Sequence, residues 1–197
     1  MARPREHDER TAAALLHAAE RIAETEGLEA LTVRRVAATA GTTTRAVYSL
    51  FTSKEGLVVA LGARGFDILR EGLTSLPATA DPAADLVEAG VTVFRRFALE
   101  HPALYRISVQ RLVPDPGLAV GFRPSAQDAL AELTALMEHL HLAGLAGERS
   151  VRDAVIAFHA LCEGLATLEL RSALPADRAE RLWRDALASL VRGFRAD

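Results

Sequence analysis

Between Thr43 and Glu55 the chain carries Thr44, Arg45, Tyr48, Ser49 and Lys54, all hydrogen-bond donors, behind a threonine hydroxyl able to cap a helix. Donors of this kind on one short helix suit phosphate oxygens and base edges in a DNA groove, and no covalent chemistry. Upstream, Leu31 to Gly41 offers Thr32 as a second cap, followed by Arg34 and Arg35. From residue 30 to residue 54 there is no acidic side chain, although the whole chain has net charge −3. The positive field is therefore local, which is what a polyanionic partner needs from an otherwise acidic protein.

The elements that must position these groups are two short helices. Val36, Ala37 and Ala40 share one face of the first, Val47 and Leu50 one face of the second, and the small alanines allow a close crossing. Gly41 stands where the backbone leaves the first helix, a position that favours a left-handed conformation. Thr32 and Thr43 each precede an apolar-periodic run and can accept from an unpaired amide at the helix start. The result is a helix-turn-helix: the first helix fixes the DNA backbone and the second enters the major groove. Thr42, Thr44, Arg45 and Ser49 are the candidates for base edges or nearby phosphates, and Tyr48 and Lys54 for phosphates alone, with Arg34 and Arg35 inside the same basic stretch. These observations imply a transcriptional regulator.

With those residues in place, the stretch from about residue 8 to residue 60 resembles the N-terminal DNA-binding domain of the TetR family of bacterial transcriptional regulators. The resemblance is carried by Thr32 to Ala40, Gly41, Thr43, Tyr48, Phe51, Ser53-Lys54-Glu55 and Leu57. It implies an all-α homodimer whose larger C-terminal domain binds a small molecule and thereby releases a palindromic operator. It also implies phosphate contacts at Thr32, Thr43, Tyr48 and Lys54, with operator-dependent contacts at Thr42, Thr44, Arg45 and Ser49. Thr42 departs from the family, which usually has an apolar residue there. The segment Phe94 to Arg106 resembles the start of one effector-domain type in the family, whereas Phe158 to Gly164 keeps the Gly of that type's His-Gly pair and does not align with its Trp and His.

The remaining sequence is read as helices only. Apolar spacing predicts a helix over about 8–26, with His17, Glu20, Arg21 and Glu24 on its solvated face, and a connector from Ser53 to about Leu73. The connector contains Gly56, Gly62, Gly65 and Gly72, which suggest close packing at some positions and a hinge-like role for the element. Further helices are expected from Leu86 to Phe97, over Leu104, Ile107 and Leu112, from Leu130 to Leu140, over about 150–172 and over about 176–195. Prolines 102, 114 and 116 set some of their ends. The expected architecture is all-α, with a three-helix DNA-binding domain over 1–54 and a helical ligand-binding and dimerisation domain over 55–197.

Within the second domain, Phe94, Phe97, His101, Tyr105, Phe122, Met137 and Phe158 are candidates for an apolar effector pocket. The last two helices carry wide apolar stripes and are expected to form a four-helix dimer interface, with Leu161, Leu165, Leu168, Leu187, Leu190 and Phe194 in it. Double-stranded operator DNA, a small-molecule effector of unknown identity and a second copy of the chain are the expected partners; no catalytic residue, metal or cofactor is expected. A chain of 197 residues, half of them hydrophobic and with a lone cysteine, can bury a substantial core without disulfides. No membrane-length apolar run or signal-peptide core is visible, so a soluble cytoplasmic protein is expected. Two other readings are distinguishable from a ligand-responsive repressor: a constitutive DNA-binding protein whose C-terminal domain only dimerises or binds a protein, and a metal or thiol sensor using His159, Cys162 and Glu163.

Overall fold

In the computed structural model, which describes residues 3–195 and their side chains from Asp8 onward, every regular element among the described residues is helical. They are α1 (Arg3–Glu26), α2 (Val33–Thr39), α3 (Thr44–Phe51), α4 (Lys54–Thr74), α5 (Pro82–Glu88), α6 (Arg96–Glu100), α7 (Pro102–Ser108), α8 (Arg123–Leu142), α9 (Val151–Leu170) and α10 (Ala179–Gly193). Between α5 and α6 the rod is π-helical over Ala89–Arg95, and short 3-10 turns lie at Leu28–Ala30 and Pro116–Val120. The shorter helix expected to extend to Leu112 ends at Ser108; Leu112 is exposed, and Arg111 beside it has a φ of 53°.

Two compact units divide the chain. The first runs through Gly65 and takes in His101–Ala126; the second holds Phe66–Glu100 and the chain from Gln127 onward. This differs from a boundary at residues 54 and 55, because α7 packs on α1 and brings its own segment into the N-terminal unit. In the first unit, Leu15, Ala19, Leu31, Val36, Val47 and Leu57 form the core under the two short helices. Gly62 belongs to its packing: a Cβ there would come within 2.4 Å of the Phe122 ring. Close approach, and not flexibility, accounts for this glycine.

The α1 face read as solvated is not uniformly so. Glu20 is only 5% exposed. Its carboxylate meets His101 Nδ1 at 2.6 Å and accepts from Arg64 Nε at 3.4 Å, which ties α1 to α4 and to the start of α7. Burial, reinforced by the charge of Glu20, pushes the neighbouring Glu24 carboxyl above the ordinary carboxylate range. The sequence pattern missed this because both partners of Glu20 lie at least forty positions away.

In the second unit α10 packs on α5, on the π-helical turn and on α9. Trp183, Leu187 and Val191 of α10 and Phe194 just beyond it are buried, and Leu187, Phe158 and Cys162 close around Gly90. At the centre Arg95 donates to Glu169 through Nε at 3.0 Å and Nη2 at 2.8 Å, and Trp183 Nε1 donates to the same carboxylate at 2.8 Å. A fork against a carboxylate that also holds an indole N–H satisfies three polar groups at once, which is the condition for burying them.

Candidate nucleic-acid interface

The helix-turn-helix is assembled by short-range bonds. Thr32 Oγ1 accepts from Arg35 N at 3.2 Å, and Thr43 Oγ1 accepts from Ala46 N at 3.2 Å, each replacing water at a helix start. Gly41 adopts φ 66°, and the amide of Thr42 reaches back to the Ala37 carbonyl at 2.9 Å, closing α2 and turning the chain into α3. Val36, Ala37 and Val47 are buried beneath the turn. Both threonine caps act as the sequence pattern requires.

What remains outward is polar and basic. Thr32, Thr43, Thr44, Arg34, Arg45 and Ser49 are exposed, and Thr42 and Lys54 are half-buried. Tyr48 is 55% exposed although it is a large aromatic on a short helix. That exposure leaves the phenol hydroxyl and ring edge available to a partner. Among the described residues Arg34, Arg45 and Lys54 have no ion-pair partner, whereas Arg35 is paired with Glu26 of α1. That pair is exposed and worth only about 0.2–1 kcal/mol, so a phosphate can compete for the guanidinium.

One feature of this surface was not legible in advance. Thr52, between α3 and α4, has φ 66° and ψ −42°, and the Ser53 amide reaches the Phe51 carbonyl at 2.7 Å. This is a γ-turn of the strained, positive-φ kind, held here by a β-branched residue. It places Ser53 to cap α4, its Oγ accepting from Gly56 N at 3.1 Å, and sets Lys54 in the first turn. Strain of this kind concentrates where a backbone must hold a functional group in place.

The other predicted residues are distributed as follows. Phe94, Phe97, Met137 and Phe158 belong to the second unit, and His101, Tyr105 and Phe122 to the first. Tyr105 and Phe122 are buried in the first unit, and His101 is engaged by Glu20. Phe94 is half-buried, edge-on to His159 with ring centroids 5.7 Å apart. Cys162 is fully buried, and burial pushes its thiol far above the ordinary range, which leaves no thiolate for sensing. Of the interface candidates, Leu168 is exposed and Leu161, Leu165 and Leu190 are half-buried, but Leu187 and Phe194 lie inside the protomer core. Ile156, 56% exposed on α9, and Leu182, 37% exposed on α10, are apolar surface positions outside the predicted set.

Comparisons with known proteins agree with this geometry. Residues 15–61 match the family described as bacterial regulatory proteins, tetR family, and residues 87–190 match the tetracyclin repressor-like C-terminal domain. No curated protein sequence matches the chain. Among solved structures, a protein of unknown function from Rhodococcus sp. RHA1 superposes with TM-score 0.81 at 22% identity, covering 93% of this chain and 94% of that one. The fatty acid degradation regulator FadR from Bacillus halodurans gives TM-score 0.76 at 15% identity, with 91% and 93% covered. The TetR family transcriptional regulator PfmR from Thermus thermophilus gives 0.66 at 21%, with 90% and 97% covered. At these identities the structures speak for the fold, and the two profile matches speak for descent. A capped helix-turn-helix with a bare basic face, joined to a helical body of the matching type, makes this chain a member of the TetR family of bacterial transcriptional regulators.

Proposed function

We propose that the protein is a ligand-responsive homodimeric repressor, acting in the cytoplasm, that binds a palindromic operator through α3 and is released by a small-molecule effector bound in its helical body. The observation that carries this reading is the exposed, doubly capped helix-turn-helix, whose Arg34, Arg45 and Lys54, without an ion-pair partner among the described residues, sit in a stretch without acidic residues. Tyr48, Lys54 and the two cap threonines hold phosphates, while Thr42, Thr44, Arg45 and Ser49 meet base edges or adjacent phosphates. Arg35 joins them by exchanging Glu26 for phosphate.

A second copy is required because one recognition helix reads only a half-site. The surface supporting that contact is on α9 and α10, where Ile156, Leu161, Leu165, Leu168, Leu182 and Leu190 present apolar side chains that are exposed or half-exposed. The effector is assigned to the second unit, with Phe94, Phe97, Met137 and Phe158 as apolar wall residues. Because α4 starts at Lys54 and continues into that unit, it is the element through which the effector acts on α3. A decisive release requires the effector to prefer the DNA-incompatible state by roughly 3–5 kcal/mol.

Selection of random duplex DNA by the purified protein, beside a Tyr48→Ala, Lys54→Ala variant, tests this reading. A palindromic motif enriched by the wild type alone, with binding that falls steeply as salt rises, is the expected result. Absence of enrichment at low and high salt contradicts it. Enrichment that no small-molecule library reverses identifies a constitutive DNA-binding protein.

A further inference from the structure

We propose that Glu20, Glu24 and His101 form a binding site for one first-row divalent cation, with zinc as the ion whose preferences they meet. Glu20 and Glu24 are one helical turn apart on α1 and so share a face. His101 stands at the start of α7, where its side chain makes no capping bond to the helix, and its Nδ1 lies 2.6 Å from Glu20 Oε1. One ligand atom from each of the three residues lies within 4.8 Å of the others. Tetrahedral zinc, with bonds of about 2.0–2.2 Å, needs its nitrogen and oxygen ligands about 3.3–3.5 Å apart, so small side-chain rotations suffice.

Two further observations point to a cation. Glu20 is more than nine-tenths buried, yet the one guanidinium bonded to it, that of Arg64, sits at the long distance of 3.4 Å and on the other oxygen. Glu24 Oε1 is shielded from water and has no hydrogen-bond partner among the described residues. A buried acceptor left bare has lost its water without gaining a partner, and a metal ion beside it removes that deficit. Two carboxylates and one imidazole suit zinc and its neighbours, whereas magnesium prefers an octahedral shell of oxygens. The fourth position remains open to water. Arg106 and His17 contribute positive charge felt at Glu24 and limit the affinity.

The bound ion would clamp α1, which carries α2 and α3, to the start of α7 within the first unit. Zinc is titrated calorimetrically into chelator-stripped full-length protein, with magnesium as the control ion. Each titration is repeated on Glu24→Gln, His101→Gln and a His139→Gln, His141→Gln control, with circular dichroism melts verifying that each is folded. The expected result is one zinc per chain, affinity at least ten-fold weaker in either ligand variant and unchanged in the control. Zinc should also raise the Tm of the wild type and not of Glu24→Gln. Should one ligand variant fail to fold, the other decides. Absence of zinc binding by the wild type, unchanged affinity in a folded ligand variant, or loss confined to the His139 and His141 control overturns the proposal.

Discussion

The helix-turn-helix and the cluster around Glu169 are ordered by opposite means. The capping and turn bonds that shape α2 and α3 join residues within five positions of each other, from the threonine caps to the Thr42 amide on Ala37. Arg95 and Glu169 are 74 positions apart, and the carboxylate that Arg95 shares with Trp183 is sheltered where three helical segments meet. Local bonds write themselves into the sequence as spacing and leave the outer face free for a partner. Long-range bonds confer stability and specificity on the body but leave no periodic trace.

The largest expected effect breaks the long-range side. Glu169→Leu strands the indole N–H of Trp183 and leaves the Arg95 guanidinium only the exposed Glu180, 3.6 Å away, and should cost about 3 kcal/mol in a urea melt. Gly62→Val, which drives a branched side chain into the Phe122 ring, should cost about 2 kcal/mol in the same measurement. Neither change touches the DNA-facing side chains, so residual folded protein should keep its sequence preference.

Substitutions of the DNA-facing side chains should leave the melt nearly unchanged and move DNA binding instead. Lys54→Ala should weaken binding about ten-fold on every duplex and lower the salt slope by about one, while Arg45→Ala should change the preferred base. An unaltered selected motif in Arg45→Ala would remove that residue from base reading. Thr52→Gly relieves the strained turn and should stabilise by about 1 kcal/mol, with weaker DNA binding if the strain serves to hold Lys54.

The smallest effect sharpens the comparison at α1. Glu24 keeps its proton in the folded protein to a higher pH than in the unfolded chain, so its contribution to stability is lost as pH rises through that raised value. In chelator, denaturant midpoints of the wild type should therefore fall with pH above the ordinary carboxylate range more than those of Glu24→Gln.

This contrast also explains what could be read before the structure. The caps at Thr32 and Thr43, the turn at Gly41 and the start of α4 at Ser53 follow from residue type and short spacing, as do most helix positions. Leu187 and Phe194 lie on the apolar stripe of α10, but periodicity cannot say whether a stripe faces the protomer core or a second copy. Glu20 looked solvated because its neighbours on α1 are charged, and its partners come from α4 and α7. The π-helical turn over Ala89–Arg95, which packs against α9 and α10, likewise leaves no periodic trace in the sequence.

The central claim is that two copies of α3 read successive half-sites on one face of DNA. It is tested most directly by measuring affinity for the selected duplex and for the same duplex with about five base pairs, half a helical turn, inserted between the half-sites. The account predicts that the insertion weakens binding at least a hundred-fold at constant salt. Equal affinity for both duplexes would contradict it.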